Sequence, residues 1–186
     1  MMRHLPWAMY AALCLIASPA VGATPDGDAL AERLATHAPQ CGRFEQSRWL
    51  ADLEMRLDSR GHFQQREDGL VWQTTAPIQD RVVLSQNNDS LPLGFQVIAP
   101  VFTGLLSGDW QALEHHFTIE LSGELEDWRA RLVPSEATVA ERLTRLLVSG
   151  NQQVEQVELE FDDGDRLDLT LIPAACESLD DGNPSP

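Results

Sequence analysis

The chain has 186 residues and a formal charge of −16, from 13 basic residues, all arginine, against 29 acidic ones. An acidic chain is repelled by phosphate backbones and by anionic headgroups, which argues against a nucleic-acid binder and against tight docking to an anionic bilayer. The length is sufficient for one domain with its own hydrophobic core.

The N-terminus has the pattern of an export signal. A short basic region with Arg3 precedes an apolar run over 5–17, and small residues follow at 21–23. This pattern predicts a secretory signal peptide over 1–23, cleaved between Ala23 and Thr24. The apolar run is too short to cross a bilayer comfortably.

Two cysteines remain after the signal is removed. Cys41 and Cys176 form an even pair in an exported chain, where the compartment is oxidising, so we predict a disulfide between them. The alternative is two free thiols. The closed loop is long, and the expected stabilisation is on the order of 2–5 kcal/mol. No Cys-x-x-Cys motif points to redox catalysis.

The first element of the mature chain is a predicted helix over 29–37. Asp26 or Asp28 can serve as its N-cap. Leu30 and Leu34 are four residues apart and give it an apolar edge.

Residues 41–77 read as a series of strands. Apolar and polar residues alternate from 53 to 57, which puts one row of side chains on each face of a strand. Residues 59–61 are a plausible turn, since Gly61 can adopt positive φ. Asp68-Gly69 is a second turn. Further strands are predicted over 70–75 and 81–85.

Residues 93–108 change to helical spacing. Phe95, Ile98, Phe102 and Leu106 recur at intervals of three and four, while Pro100 and two glycines weaken the helix. Two interpretations remain open: a stripe that packs in an ordinary core, or a mobile apolar lid.

Alternation resumes in the second half of the chain. It predicts strands near 117–122, 128–132, 157–161 and 167–171, with a hairpin turn at Asp163-Gly164 and a short helix over 136–143 capped by Ser135. Adjacent His115 and His116 are interpreted as surface residues. Nine to eleven sequential antiparallel strands with three or four short helices predict an α+β protein whose sheet curls into a barrel or open half-barrel.

No motif for an enzyme or a metal site is recognisable. The sequence lacks a Gly-x-Ser-x-Gly elbow, a His-Glu-x-x-His helix and a phosphate-cradling glycine loop. The acidic run at 162–165 lacks the ligand spacing of a calcium loop and reads as a turn. We therefore predict a protein that is not an enzyme and uses no metal or cofactor.

A series of weak motifs, in order, resembles the outer-membrane lipoprotein carrier (LolA-like) family, in particular divergent members encoded with aryl-polyene and related lipid-pigment genes. The resemblance covers roughly 29–172. The motifs that carry it are Phe44-x-Gln46, Ser59-x-Gly61-x-Phe63, Gly69-Leu70-x-Trp72-x4-Pro77, Phe117, Ser122-Gly123, Trp128, Leu132-x-Pro134 and Gly164-Asp165.

The resemblance implies an unclosed half-barrel under a helical lid, with an apolar cavity that shields acyl chains in the periplasm. The residues expected to line that cavity are Trp49, Phe63, Trp72, Phe95, Ile98, Phe102, Leu106, Phe117 and Trp128. The cargo is expected to be the acyl chains of a lipoprotein or another lipid, passed from an inner-membrane donor protein to an outer-membrane acceptor by a monomer. The alternative is a non-transporting module of the same fold that senses lipid or binds a protein.

The chain departs from the family at the lid latch. The carrier has an Arg-Pro pair whose arginine holds the lid closed, whereas this chain has Gln65-Arg66-Glu67-Asp68. Arg66 is the candidate latch, with a surface arginine as the alternative. The predicted organisation is thus a signal over 1–23, one domain over 24–176, and a disordered acidic tail over 177–186.

Overall fold

A computed structural model describes residues 25–85 and 101–179. Nine antiparallel strands form one sheet in the order β4-β3-β2-β1-β9-β8-β7-β6-β5. The strands are β1 (Cys41–Leu50), β2 (Met55–Arg66), β3 (Gly69–Ala76), β4 (Asp80–Leu84), β5 (Phe117–Glu124), β6 (Asp127–Pro134), β7 (Leu143–Gly150), β8 (Val154–Phe161) and β9 (Arg166–Pro173). Within the described residues β4 and β5 do not pair with each other, so the sheet is unclosed, which confirms the α+β half-barrel prediction.

The helices are short. They are α1 (Gly27–Thr36), the described part of α2 (101–107), α3 (Trp110–Glu114) and α4 (Ala137–Ala140), and a single 3-10 turn covers Cys176–Leu179. This turn includes the first residues of the segment predicted as a tail. None of the helices in the described ranges has the length and apolar character needed to cross a membrane.

The predicted first helix is confirmed, with its cap. The Asp26 carboxylate accepts hydrogen bonds from the backbone N–H groups of Asp28 at 2.9 Å and Ala29 at 3.1 Å, satisfying two donors that have no partner within the helix. Leu30 and Leu34 are buried in the core. The helix therefore begins where its cap places it and turns its apolar edge to the sheet.

The turn predicted at 59–61 is wrong. β2 runs straight through these residues, with a register shift between Arg60 and Gly61 where it pairs with β3. A Cβ at Gly61 would lie 2.0 Å from the Gln73 carbonyl oxygen, so the glycine is required by close strand packing rather than by positive φ. The real turn lies at 51–54, where Glu54 has φ of 47°.

The second half follows the alternation closely, except at α4. The predicted helix over 136–143 shrinks to four residues, and Leu143 already belongs to β7. Glu136 rather than Ser135 occupies the N-cap position, and its side chain makes no capping bond. Pairing of β7 with β6 and β8 buries Leu146 and Val148, which outweighs the weak helical preference of this segment.

The predicted disulfide is present. Cys41 and Cys176 are joined across 135 residues of sequence, with a Cα–Cα distance of 5.2 Å. Cys41 is the first residue of β1, and Cys176 opens the turn after β9, the strand that pairs with β1. The bond therefore fastens the end of the last strand to the start of the first.

Candidate functional site

An aromatic cluster occupies one face of the sheet in its first half. Trp72 of β3 stacks on Phe44 of β1, with ring centroids 3.9 Å apart, and lies 6.1 Å from Phe63 of β2. Phe44 and Phe63 are almost fully buried. Stacked aromatic rings supply a large apolar area with few polar demands, so this face is suited to covering or replacing apolar groups.

Helix α2 covers that face. Phe102 meets Trp72 edge-on at 5.7 Å between ring centroids, and Leu105 and Leu106 are buried. Gly108 has φ of 73°, and a Cβ there would lie 2.4 Å from the Ala35 backbone nitrogen, so the end of α2 packs directly on α1. The predicted apolar stripe thus faces the sheet wherever it is described, while Phe95 and Ile98 lie outside the described residues.

Gln65 links the sheet to the end of α2. Its Nε2 donates a hydrogen bond to the backbone carbonyl of Leu106 at 3.0 Å. That carbonyl would normally accept from Trp110 N–H in a continuing helix, but Trp110 N–H donates to Gly108 at 2.9 Å instead. Gln65 therefore supplies a partner for a helix-end acceptor that the helix itself leaves unpaired.

The structure places Arg66 differently from Gln65. The Arg66 side chain is directed along its own strand, where Nε and Nη2 donate to the Gln64 side-chain oxygen at 3.0 and 2.8 Å. Because side chains alternate along a strand, Gln65 and Arg66 point to opposite faces. The side chain bonded to α2 is thus the neighbour of the predicted latch, and no feature of the sequence distinguished it.

A second aromatic group lies in the other half of the sheet. Trp128 is fully buried, its Nε1 donates to the Asn151 carbonyl at 2.9 Å, and Trp110 of α3 meets it edge-on at 6.3 Å between centroids. Phe117 is also buried. Five predicted lining residues therefore belong to one buried hydrophobic core, and a sixth, Trp72, is partly buried and packs against it: Phe63, Phe102, Leu106, Phe117 and Trp128 are the five.

Trp49 does not join this core. It lies five residues after Phe44 in a strand with uninterrupted pairing, so it points to the opposite face. There it is partly buried opposite Arg56 on one side and Arg166 on the other. The prediction that Trp49 lines the apolar face is corrected by the register.

Two hollows lie beside the cover formed by α2, and two others lie on the surface of strands β1, β2, β8 and β9. One of about 240 Å³ lies between α2 and α3, lined in part by Val101, Leu113 and His116. Another, of about 470 Å³, lies beside the β2–β3 turn and Thr103. Over the described residues, α2 covers the aromatic face through the buried side chains of Phe102, Leu105 and Leu106.

Two carboxylates, Asp165 and Glu136, stabilise loops at the end of the sheet where β1 stops. Asp165 accepts from Ala51 N–H at 2.9 Å and from Arg48 at 2.8 Å, and these bonds, the backbone one first, lower its pKa. The pKa of Glu136 is lowered by hydrogen bonds, first from Thr138 and then from His116.

No group of three or more His, Cys, Asp or Glu in the described ranges is arranged to hold a metal.

Residues 94–180 match the family model described as outer membrane lipoprotein carrier protein LolA-like. No curated protein matches the chain significantly.

Similar solved structures include a LolA superfamily protein from Nitrosomonas europaea (8% identity, 83% of this chain and 95% of that one, TM-score 0.32). A DUF1329 family protein from Desulfovibrio piger is 10% identical over 78% of this chain and 89% of that one, with a TM-score of 0.35. A domain named for outer membrane lipoprotein sorting, from Vibrio parahaemolyticus, is 10% identical over 77% and 87%, with a TM-score of 0.30.

Proposed function

We propose, on the premise that this chain is a divergent member of the LolA-like family, that it is a periplasmic carrier. It shields the acyl chains of a lipoprotein or another lipid on the aromatic face and transfers them toward the outer membrane. The observation that supports this best is the nature of the cover: α2 lies over Trp72 through Phe102 and is tied to the sheet by the Gln65 side chain.

The free energies of apolar burial are compatible with replacement of α2 by an acyl chain on the aromatic face. Lifting Phe102, Leu105 and Leu106 off the sheet costs about 1.5–3 kcal/mol for each side chain. An acyl chain recovers about 0.8 kcal/mol for each methylene that it buries. Roughly six to eleven buried methylenes would therefore offset the loss, which is within the length of an ordinary lipid acyl chain.

The negative charge of the chain suggests that the carrier needs protein partners at both membranes. A chain of −16 is repelled by anionic membrane, so delivery requires a donor protein at the inner membrane and an acceptor at the outer one. The signal predicted over 1–23 supports the proposal that the mature chain, expected to act as a monomer, lies between them. The proposal assigns no chemical reaction to the protein.

Mass spectrometry of an organic extract of the purified protein, followed by a transfer assay, tests this function. A labelled acylated lipid should leave donor vesicles only when the protein is present and should reach acceptor vesicles carrying the partner. Absence of any copurified or loaded acyl lipid, with the fold intact, would contradict the proposal.

The second candidate is a non-transporting module that senses lipid or binds a protein. It is favoured by the close filling of the aromatic face, where Phe44 and Phe63 are almost fully buried beneath the protein's own groups. Lipid that remains bound in the presence of acceptor vesicles, or a stable protein partner without lipid exchange, would identify the module instead.

A further inference from the structure

Strand β2 has an unpaired edge at its beginning. It pairs with β1 along its entire length, from Met55 to Arg66. It pairs with β3 only from Arg60 onward. Residues 55–59 therefore have β1 on one side and, within 25–85 and 101–179, no strand on the other. We call residues 55–59 the free edge.

The direction of the backbone groups on the free edge follows from the register. Gln65 N–H donates to the Gln40 carbonyl at 2.7 Å, and the two residues continue the β1–β2 register by one position beyond the pair of Cys41 and Gln64. Hydrogen-bonded pairs recur at every second residue of an antiparallel ladder, and this ladder has no register shift. Odd-numbered residues of β2 thus bond to β1, while the N–H and C=O groups of Arg56 and Asp58 point outward.

The bond made by Thr75 agrees with this assignment. Its hydroxyl donates to the Arg60 carbonyl at 3.2 Å from the β3 side of β2, as expected for an even-numbered residue. Arg56 and Asp58 continue the same row beyond the point at which β3 ends. The outward backbone groups of the free edge therefore continue the row of groups through which β2 pairs with β3.

Exposed apolar side chains accompany these backbone groups. Met55 and Leu57 are both 47% exposed and Leu53, in the preceding turn, is 65% exposed. Three of the five large exposed hydrophobic residues in the described structure thus lie on this one hairpin. Met55 and Leu57 share one face of β2, while Arg56 and Asp58 share the other.

The hairpin is neutral in a strongly acidic protein. Residues 48–60 contain three arginines and three acidic residues, a formal charge of zero, whereas the whole chain carries −16. The members are Arg48, Asp52, Glu54, Arg56, Asp58 and Arg60. Another protein can approach this hairpin without meeting the repulsion that the acidic remainder of the chain produces.

We propose that the free edge accepts an extended segment of a partner protein as an added β-strand. Such a segment completes the backbone bonds of Arg56 and Asp58 and places apolar side chains beside Met55 and Leu57, with polar ones between them. A bilayer cannot supply backbone partners, and a second copy brings its own −16 charge. The inference rests on the proposed carrier function in naming the donor or acceptor protein as the partner.

A synthetic probe tests the edge directly. The probe is a capped heptapeptide that alternates Val with Thr and Arg, and its control is the same peptide with N-methylated backbone amides. Asp58→Pro removes an outward N–H that β1 does not use, a change that edge strands tolerate. Asp58→Ala is the matched control, since it removes the same carboxylate and keeps the N–H.

We expect Asp58→Pro to weaken binding of the probe about tenfold relative to Asp58→Ala, and N-methylation of the probe to do the same. Should Asp58→Pro fail to fold, the unsubstituted protein decides the matter, because the probe should slow amide exchange of Arg56 and Asp58 in NMR spectra. Equal binding by the two variants, unchanged exchange at both amides, or a concentration-dependent dimer that occupies the edge would overturn the inference.

Loading with an apolar fluorophore separates this inference from the carrier function. Asp58→Pro should load like the parent protein, because Asp58 lies away from the aromatic face. If the parent loads but the probe does not bind, strand addition is wrong and the carrier function stands. If the probe binds but nothing loads, the carrier function is wrong and the edge remains a docking site for a protein.

Discussion

Replacing Gln65 by Met tests what holds α2 against the sheet. The substitution keeps the length of the side chain and removes the donor that bonds to the Leu106 carbonyl at 3.0 Å. That carbonyl has no intrahelical partner, because Trp110 N–H bonds to Gly108. A net loss of about 1 kcal/mol, typical of one hydrogen bond, corresponds to a roughly fivefold increase in the open fraction of α2.

Hydrogen exchange measured by mass spectrometry reports this opening. Amides over 101–107 should exchange about fivefold faster in Gln65→Met, while amides of the β1–β9 pairing should be unchanged. Loading with an apolar fluorophore should accelerate in parallel. Both effects follow from the same local equilibrium between covered and uncovered forms of the aromatic face.

Arg66→Met is the matched control. Arg66 is adjacent in sequence, but its side chain bonds to Gln64 on its own strand. The exchange of 101–107 should therefore match that of the parent. Unchanged exchange in Gln65→Met, or equal acceleration in the two variants, would refute the assignment of Gln65. Acceleration in Arg66→Met alone would favour the latch predicted from the family resemblance.

Three further outcomes are expected. Thiol alkylation of the unreduced, denatured protein should label neither Cys41 nor Cys176, and two labels per chain would contradict the disulfide. Cys41→Ser should lower the free energy of unfolding, measured by urea denaturation, by on the order of 2–5 kcal/mol. Phe102→Asp should weaken fluorophore loading while circular dichroism keeps its β signature, whereas loss of the whole fold would identify Phe102 as ordinary core. Asp165→Asn should lower stability by about 1–2 kcal/mol at neutral pH. The pKa of Asp165 is lower in the folded state than in the unfolded state. The stability that its carboxylate contributes is therefore present above the unfolded pKa and disappears as the pH falls through the folded pKa. The free energies of unfolding of variant and parent, measured with urea, should converge in acid, and a difference that stays constant with pH would show that the ionised carboxylate is not responsible.

Alternation predicted most of the sheet because its period is a local property of the sequence. Phe117 and Trp128 lie in strands predicted by their alternation, and the structure buries both side chains in the core. The sequence predicts a turn at Gly61 because glycine occurs both in turns and at close contacts between strands. These roles are distinguished by the space available for a Cβ atom, which at Gly61 would lie 2.0 Å from the Gln73 carbonyl oxygen on the neighbouring strand. That contact cannot be read from the sequence around Gly61.

The candidate site was harder to predict because it depends on register and on single side chains. Trp49 is aromatic and follows Phe44 in the same strand, but only counting along an unbroken ladder shows that it faces the other way. Gln65 carries no local signal, because its importance comes from a carbonyl more than forty residues later in the chain. Composition cannot identify either case.

The central pairing of β1 with β9 affects how the protein reaches its folded state. The first and last strands lie side by side, so the sheet consists of two meanders, one from β1 to β4 and one from β5 to β9, joined by that single seam. Each meander can assemble from neighbouring segments, but the seam requires contacts between distant parts of the sequence, which form slowly. Until β9 is available to pair with it, β1 presents an open inner edge to solvent. Chains that stop short of residue 166 should therefore aggregate rather than fold, and emergence of the C-terminus should set the earliest moment at which the sheet is complete.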